Sequence, residues 1–268
     1  MVTQTDLLAD ALAEADLGRP VVTCPGWTVR QLARHVGGGH RWVEEIVRTR
    51  AAAPIADDGV RDVASYPDDG AATIAAWLRD GAALLAATLR DGGPGLDVWT
   101  PVPGCDGDFW PRRLAHETLV HRADAELALD RTFTTEPDLA ADAIDEWMEL
   151  ASLPTMLEVK PEQRELIGPG RTIHLHATDA PAGLDAEWVV DLTGDVIVWR
   201  PSHEKSAVAW RGPLTDLLLG LYRRVPPRAG DLEVLGDADL LDLFLSRVGF
   251  GVTPSSRTCL VDGDKSVS

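Results

Sequence analysis

The sequence predicts an α+β protein, a helical bundle followed by a small α/β domain. Three observations carry this. Apolar residues recur at helical spacing through the first half, the pattern changes to alternation after Pro169 and Gly170, and further helical segments follow the alternating runs.

The elements follow in order. Residues 5–17 place Leu7, Leu8, Ala11, Leu12 and Ala15 on one stripe of a first helix. Thr28, with Gln31 three positions on, forms a capping-box pattern, and Leu32, His35, Val36, Gly39, Val43 and Ile46 then mark a second helix. Pro- and Asp-rich sequence over residues 54–69 reads as a loop. An Ala-rich third helix follows over residues 71–89, with Ile74, Trp77, Leu78, Leu84 and Leu85. Pro111 sits as a first-turn proline, and residues 112–129 form a fourth helix whose stripe is Leu114, Glu117, Thr118, His121 and Ala125. Four such helices can close a bundle. A further helix over residues 138–152 either extends the bundle or leads toward the next domain, and Pro154 stops it.

Beyond Gly170, residues 172–177 alternate, residues 187–192 and 196–200 are strand-like around Thr193-Gly-Asp195, and residues 207–210 form a short strand. Helical segments at 214–224 and 238–248 complete the unit. The expected domains are a metal-binding bundle over 1–155 and an α+β domain over 168–252, with a boundary near 153–170. Residues 253–268 are expected to be a flexible polar tail.

Composition excludes several functions. The 268 residues are 45% hydrophobic and 25% charged, as in ordinary soluble proteins, and no run approaches the roughly 18 apolar residues of a membrane span. A net charge of −18 repels a phosphate backbone, so nucleic acid is not an expected partner. The N-terminus enters a helix without an export signal, and Cys24, Cys105 and Cys259 are odd in number and far apart. A reducing cytoplasm is the expected setting, with the three thiols unpaired and without a role. The expected assembly is a monomer or small homo-oligomer.

The chemistry concentrates at three residues. Glu117 and His121 are four apart, so on one helix their side chains stack about 5–6 Å from each other and can grip one ion. His35, on the apolar stripe of another helix, can complete the set. Two imidazoles and a carboxylate form a catalytic zinc shell whose fourth position is open to water or substrate. A carboxylate at a core position also needs a partner, because burying it alone costs several kcal/mol. Against this, a Glu-x-x-x-His pair often makes only an intrahelical hydrogen bond, and a histidine on an apolar stripe is often a satisfied core residue.

Other histidines compete. His40 lies about 140° around the helix from His35, so His35 ranks first on phase. His116 points about 100° from Glu117, toward solvent or a supporting position. His174 and His176 share one face of a strand, which could suit a metal, but no third ligand accompanies them. His203, in a loop, carries no signal.

The segment Gly26-Trp-Thr-Val-Arg-Gln-Leu-Ala-Arg-His35-Val-Gly-Gly, with Arg113-Leu-Ala-His-Glu117-Thr-Leu-Val-His121-Arg-Ala-Asp124, resembles the mycothiol-dependent maleylpyruvate isomerase family. The second half, including Leu214-Thr-Asp-Leu-Leu-Leu-Gly-Leu-Tyr-Arg-Arg224, is similar to the same family, so the resemblance spans nearly the whole chain. It implies a DinB-like four-helix bundle and a C-terminal domain related to sterol carrier proteins. It further implies that His35, Glu117 and His121 bind zinc or another divalent metal, and that mycothiol coordinates this metal through its sulfur. The bound cation would lower the thiol's pKa. An isomerase of this kind adds the thiolate to a cis double bond, permits rotation and expels it; an S-transferase retains the thioether. The family also uses a basic group near the substrate carboxylate. Arg224, beside Arg223, matches that position, although cations are also common at helix C-termini.

The leading expectation is therefore a metal- and mycothiol-dependent isomerase or S-transferase acting on a small electrophile. Two alternatives remain open on the sequence: a non-catalytic small-molecule carrier with a structural metal, and a hydrolase using metal-activated water.

Overall fold

The computed structural model describes residues 1–61 and 70–248, which divide into two compact units on either side of Phe133 and Thr134. The expected tail at 253–268, with Cys259, and residues 62–69 of the expected 54–69 loop lie outside the described residues.

Four long helices build the first unit. They are α1 (Val2–Leu12), α2 (Val29–Thr49), α4 (Ala71–Gly92) and α5 (Phe109–Ala128), with a short α3 (Asp58–Arg61) on α2. α1 and α2 each pack against both α4 and α5, as expected of a bundle. The capping box is formed as the sequence implied: the Gln31 backbone N–H donates to the Thr28 hydroxyl, and the Thr28 N–H donates to the Gln31 side chain. This local pair sets the phase of α2 and turns Leu32, His35 and Val36 inward.

Close approach of α2 and α4 depends on glycine. A Cβ at Gly37 would collide with the Trp77 ring, and one at Gly81 with the Arg41 guanidinium. Arg41 covers the Trp77 ring at 4.0 Å and donates to Gly37 O (3.1 Å) and Trp77 O (2.8 Å), so the cation fastens the two backbones across the ring. By length and mean hydropathy of 1.2, α4 could cross a membrane, which the sequence expectation did not allow for. Its apolar side (Ile74, Leu78, Leu85) is instead buried in the bundle, and Arg79 pairs with Asp6 and Asp10 of α1.

The second unit contains α6 (Pro137–Ala151), α7 (Met156–Val159), a 3-10 turn (Pro161–Leu166), β1 (Thr172–Ala177), β2 (Glu187–Asp191), β3 (Val198–Pro201), β4 (Val208–Gly212), α8 (Leu214–Leu221), β5 (Glu233–Gly236) and α9 (Ala238–Val248). The strands form one mixed sheet in the order β3-β2-β1-β4-β5, with only β1 and β4 parallel. α6 packs on α8 in this unit, so the division falls ahead of the boundary expected near 153–170. α8 stops three residues short of its expected end. Arg223 takes a left-handed φ of 59°, and the Arg223 and Arg224 N–H groups close back on Gly220 O (2.9 Å) and Leu219 O (2.7 Å).

Gly37→Ala should lower stability by roughly 1–3 kcal/mol, because the rigid Trp77 ring must move out from under Arg41. Gly39→Ala, where a Cβ meets nothing within 4 Å, should be neutral or gain up to about 1 kcal/mol of helix propensity. Urea midpoints of the two variants, at matched slopes, check the contrast.

Candidate metal centre

The capping box phases α2 so that His35 follows Leu32 into the bundle, and the four-residue spacing on α5 stacks Glu117 under His121. Both histidines are buried, at 6% and 4% exposure, whereas the Glu117 side chain keeps 30% of its surface open. Glu117 Oε1 lies 3.1 Å from His121 Nε2 and 3.5 Å from His35 Nε2. One donor atom from each of the three residues falls within 4.8 Å of the others.

Each imidazole is oriented from behind. His35 Nδ1 sits 3.2 Å from Val60 O, and a carbonyl can only accept, so Nδ1 donates there and Nε2 is the nitrogen turned toward Glu117. His121 Nδ1 donates to Asp124 Oδ2 at 2.9 Å. Asp124 is fully buried and also accepts from the Cys24 thiol at 3.4 Å. A carboxylate behind the distal ring nitrogen is the support that ligating histidines commonly have. Arg113 occupies Glu117 Oε2 at 3.0 Å, leaving Oε1 to face the histidines. The Trp27 ring packs 4.9 Å from His35 and 6.4 Å from His121.

The electrostatics follow from this geometry. Burial pushes the Glu117 carboxyl toward its neutral form, but hydrogen bonds from His121 and His35, with the charges of His121 and Arg113, hold its pKa well below the usual range. Burial opposes charge on His121 as well, yet Asp124, Cys24 and Glu117 raise its pKa well above the ordinary value. The centre therefore calls for positive charge between Glu117 and the two Nε2 atoms. A divalent cation there would answer the carboxylate and take the place of a shared proton, so the donor set fits a metal.

The other candidates separate. His40 is buried and hydrogen-bonds through Nε2 to the Thr118 hydroxyl at 3.0 Å, while that hydroxyl donates to Leu114 O at 2.7 Å. Burial, with the Arg41 charge, lowers its pKa to about 3, so the ring is neutral and engaged elsewhere. His116 is fully buried, which rules out the first of its two expected placements, solvent, and leaves the supporting one. Arg224 belongs to the second unit, where it donates to Tyr222 O at 2.8 Å and, with Arg223, lines a groove of about 460 Å³. His174 and His176 do have further donors beside them, contrary to expectation. Glu187 and His203 join them, all four within 4.8 Å. Burial would raise the Glu187 pKa, but the imidazoles of His176, His203 and His174 gathered around its carboxylate bring it to about 2.

Sequence reasoning overlooked the supports. Asp124 and Arg113 stood at helical spacings from His121 and Glu117, a signal that could have found them. Cys24, expected to have no role, meets Asp124 across 100 positions of sequence, which no local pattern reveals.

Residues 1–126 match the mycothiol maleylpyruvate isomerase N-terminal domain, and residues 138–243 match the MDMPI C-terminal domain. The chain belongs to the mycothiol maleylpyruvate isomerase family. No curated protein matches it.

The His121 pKa is raised above 6.5, so in metal-free protein its pairing contributes full stability below that pH and loses it as pH rises through the raised value. Asp124→Asn should move this loss to lower pH, as read from histidine NMR titration and from unfolding midpoints across pH. The same variant should weaken zinc binding by about 10- to 100-fold in chelator competition.

Proposed function

We propose that this protein is a metal-dependent enzyme presenting the thiol of mycothiol to a small electrophile, as a cis-trans isomerase of the maleylpyruvate type or as an S-transferase. The observation that carries the reading is the convergence of His35 Nε2, Glu117 Oε1 and His121 Nε2, with both rings fixed through their Nδ1 atoms. Family membership supports the mycothiol and isomerase side of the reading.

A divalent metal held by these residues, zinc being the ion whose catalytic shells take this donor set, supplies a Lewis acid that makes a thiolate available at neutral pH. The chain's own groups prepare the position. Val60 O and Asp124 fix which ring nitrogens are offered, so little reorganisation is needed on loading. Arg113 restricts Glu117 to a single oxygen, and three protein donors leave one position open. The partial exposure of Glu117 marks the side open to solvent, and Trp27 closes another with an apolar ring. Arg224 is the group assigned to a substrate carboxylate, since its planar guanidinium can hold both oxygens.

The purified protein should carry stoichiometric metal, and turnover of maleylpyruvate or of a model electrophile such as monochlorobimane should require mycothiol. His121→Ala should lose one equivalent of metal and reduce activity by about 100-fold or more. Arg224→Gln should raise KM roughly tenfold or more for a carboxylate substrate with a smaller change in kcat. Unchanged metal content in His121→Ala would sink the metal assignment, and thiol-independent turnover would sink the mycothiol assignment.

A further inference from the structure

The sheet of the second unit assembles another donor set from side chains that the bundle centre does not use. His174 and His176 are two apart on β1, so their rings leave the same face. Glu187 opens β2 directly opposite His176 in the antiparallel register. The chain returns along β3, whose Pro201 pairs with Trp188, and His203 follows two residues later. Ring atoms of all three histidines then surround one carboxylate oxygen. Glu187 Oε2 lies 2.8 Å from His174 Nε2, 2.9 Å from His176 Nδ1 and 2.5 Å from His203 Nδ1. The ring centroids are 5.3 to 5.8 Å apart.

Hydrogen bonding alone would need three ring N–H groups aimed at a single oxygen. One cation at the centre of the four donors satisfies all of them together. In a tetrahedral site with bonds of about 2.0–2.1 Å, donor atoms stand roughly 3.3 Å apart. The nitrogens need retreat from Glu187 only by fractions of an ångström to about 1 Å, within reach of small side-chain rotations. We propose that His174, His176, Glu187 and His203 form a second metal site, for a borderline divalent cation of the zinc class, which clips the segment after β3 to the sheet. Three imidazoles and one carboxylate favour such an ion over magnesium or calcium, which take oxygen shells. Four protein donors make a closed shell, the form of structural rather than catalytic zinc. The segment is already shaped to present His203: Arg200 grips both Glu204 oxygens at 3.0 and 2.7 Å, and the Ser202 hydroxyl donates to Glu204 at 2.6 Å. His203 is 74% exposed, giving the ion a route in from solvent.

The test uses the full chain carrying His121→Ala, so that the bundle centre does not contribute, and zinc alone as the probe. After removal of unbound metal, one zinc per chain should remain and should raise the thermal midpoint. Adding His203→Ala, at an exposed position whose loss leaves far-UV circular dichroism unchanged, should weaken zinc at least about tenfold in chelator competition. It should also abolish the strong visible absorption of the cobalt-loaded protein, and Glu187→Gln should do the same. Absence of bound zinc in the His121→Ala chain, or an unchanged affinity on adding His203→Ala, overturns the proposal. Neither result bears on the bundle centre, whose own loss is read by comparing His121→Ala with the unsubstituted chain.

Discussion

Two imidazole nitrogens from different helices face one carboxylate oxygen, Glu117 Oε1, and this convergence sets demands that reach through the bundle. The carboxylate and one histidine come from α5 and the other histidine from α2, so the geometry survives only while those helices keep a fixed rotation. Local chemistry supplies part of this. The Thr28 capping box phases α2 from its first turn. Long-range packing supplies the rest, through the bare backbone at Gly37 against Trp77 and the guanidinium of Arg41 that locks the ring in place. A methyl group in the wrong place on α2 would be felt as a rotation of His35.

The same demand explains why α5 is so polar for a helix buried on most of its faces. Charged groups in a core are tolerated only when each finds its complement. Arg113 answers Glu117, Asp124 answers His121, and Arg122 is satisfied by Gln4 (2.9 Å) and Glu126 (2.7 Å) while lying over the Phe133 ring at 4.5 Å. These pairs run along the helix at three- and four-residue spacings, so the helix brings most of its compensation with it. The longer-range contacts, Gln4 of α1 to Arg122 and Cys24 of the α1–α2 connection to Asp124, then fix which faces meet. A network of this kind adds little net stability for its size, but it penalises any register in which one charge is left alone.

What could be read in the sequence divides along the same line. The helices α2, α4 and α5, the start of α2, and the strands β1, β2 and β4 were legible because each is announced within its own residues by period, cap or turn. β5 was not, since four largely exposed residues carry no alternation against which to judge them. α8 was read too long because a left-handed arginine, rather than the expected glycine, ends it. At the bundle centre the convergence of His35, Glu117 and His121 was legible from helical phase, and Asp124 could have been. Val60 and Cys24 could not, because their roles exist only once distant segments meet. His203 illustrates the limit most clearly: alone in a loop it says nothing, and only the return of β3 alongside β2 brings it to Glu187.

The two clusters show how secondary structure decides what a donor set can do. A helix offers side chains at three- and four-residue spacing from one side, so α5 contributes two donors, Glu117 and His121, and the third, His35, comes from its neighbour α2. A sheet offers same-face residues along one strand and a cross-strand partner at each position, so β1 and β2 alone place three donors together, and one return of the chain adds a fourth. Both arrangements use a single carboxylate as hub, but the helical hub has one oxygen tied by Arg113 and is backed by oriented rings, whereas the sheet hub gathers three rings on one oxygen. Histidine and glutamate serve in both, so the number of donors that meet, three in the bundle and four on the sheet, is set by which segments the fold brings together.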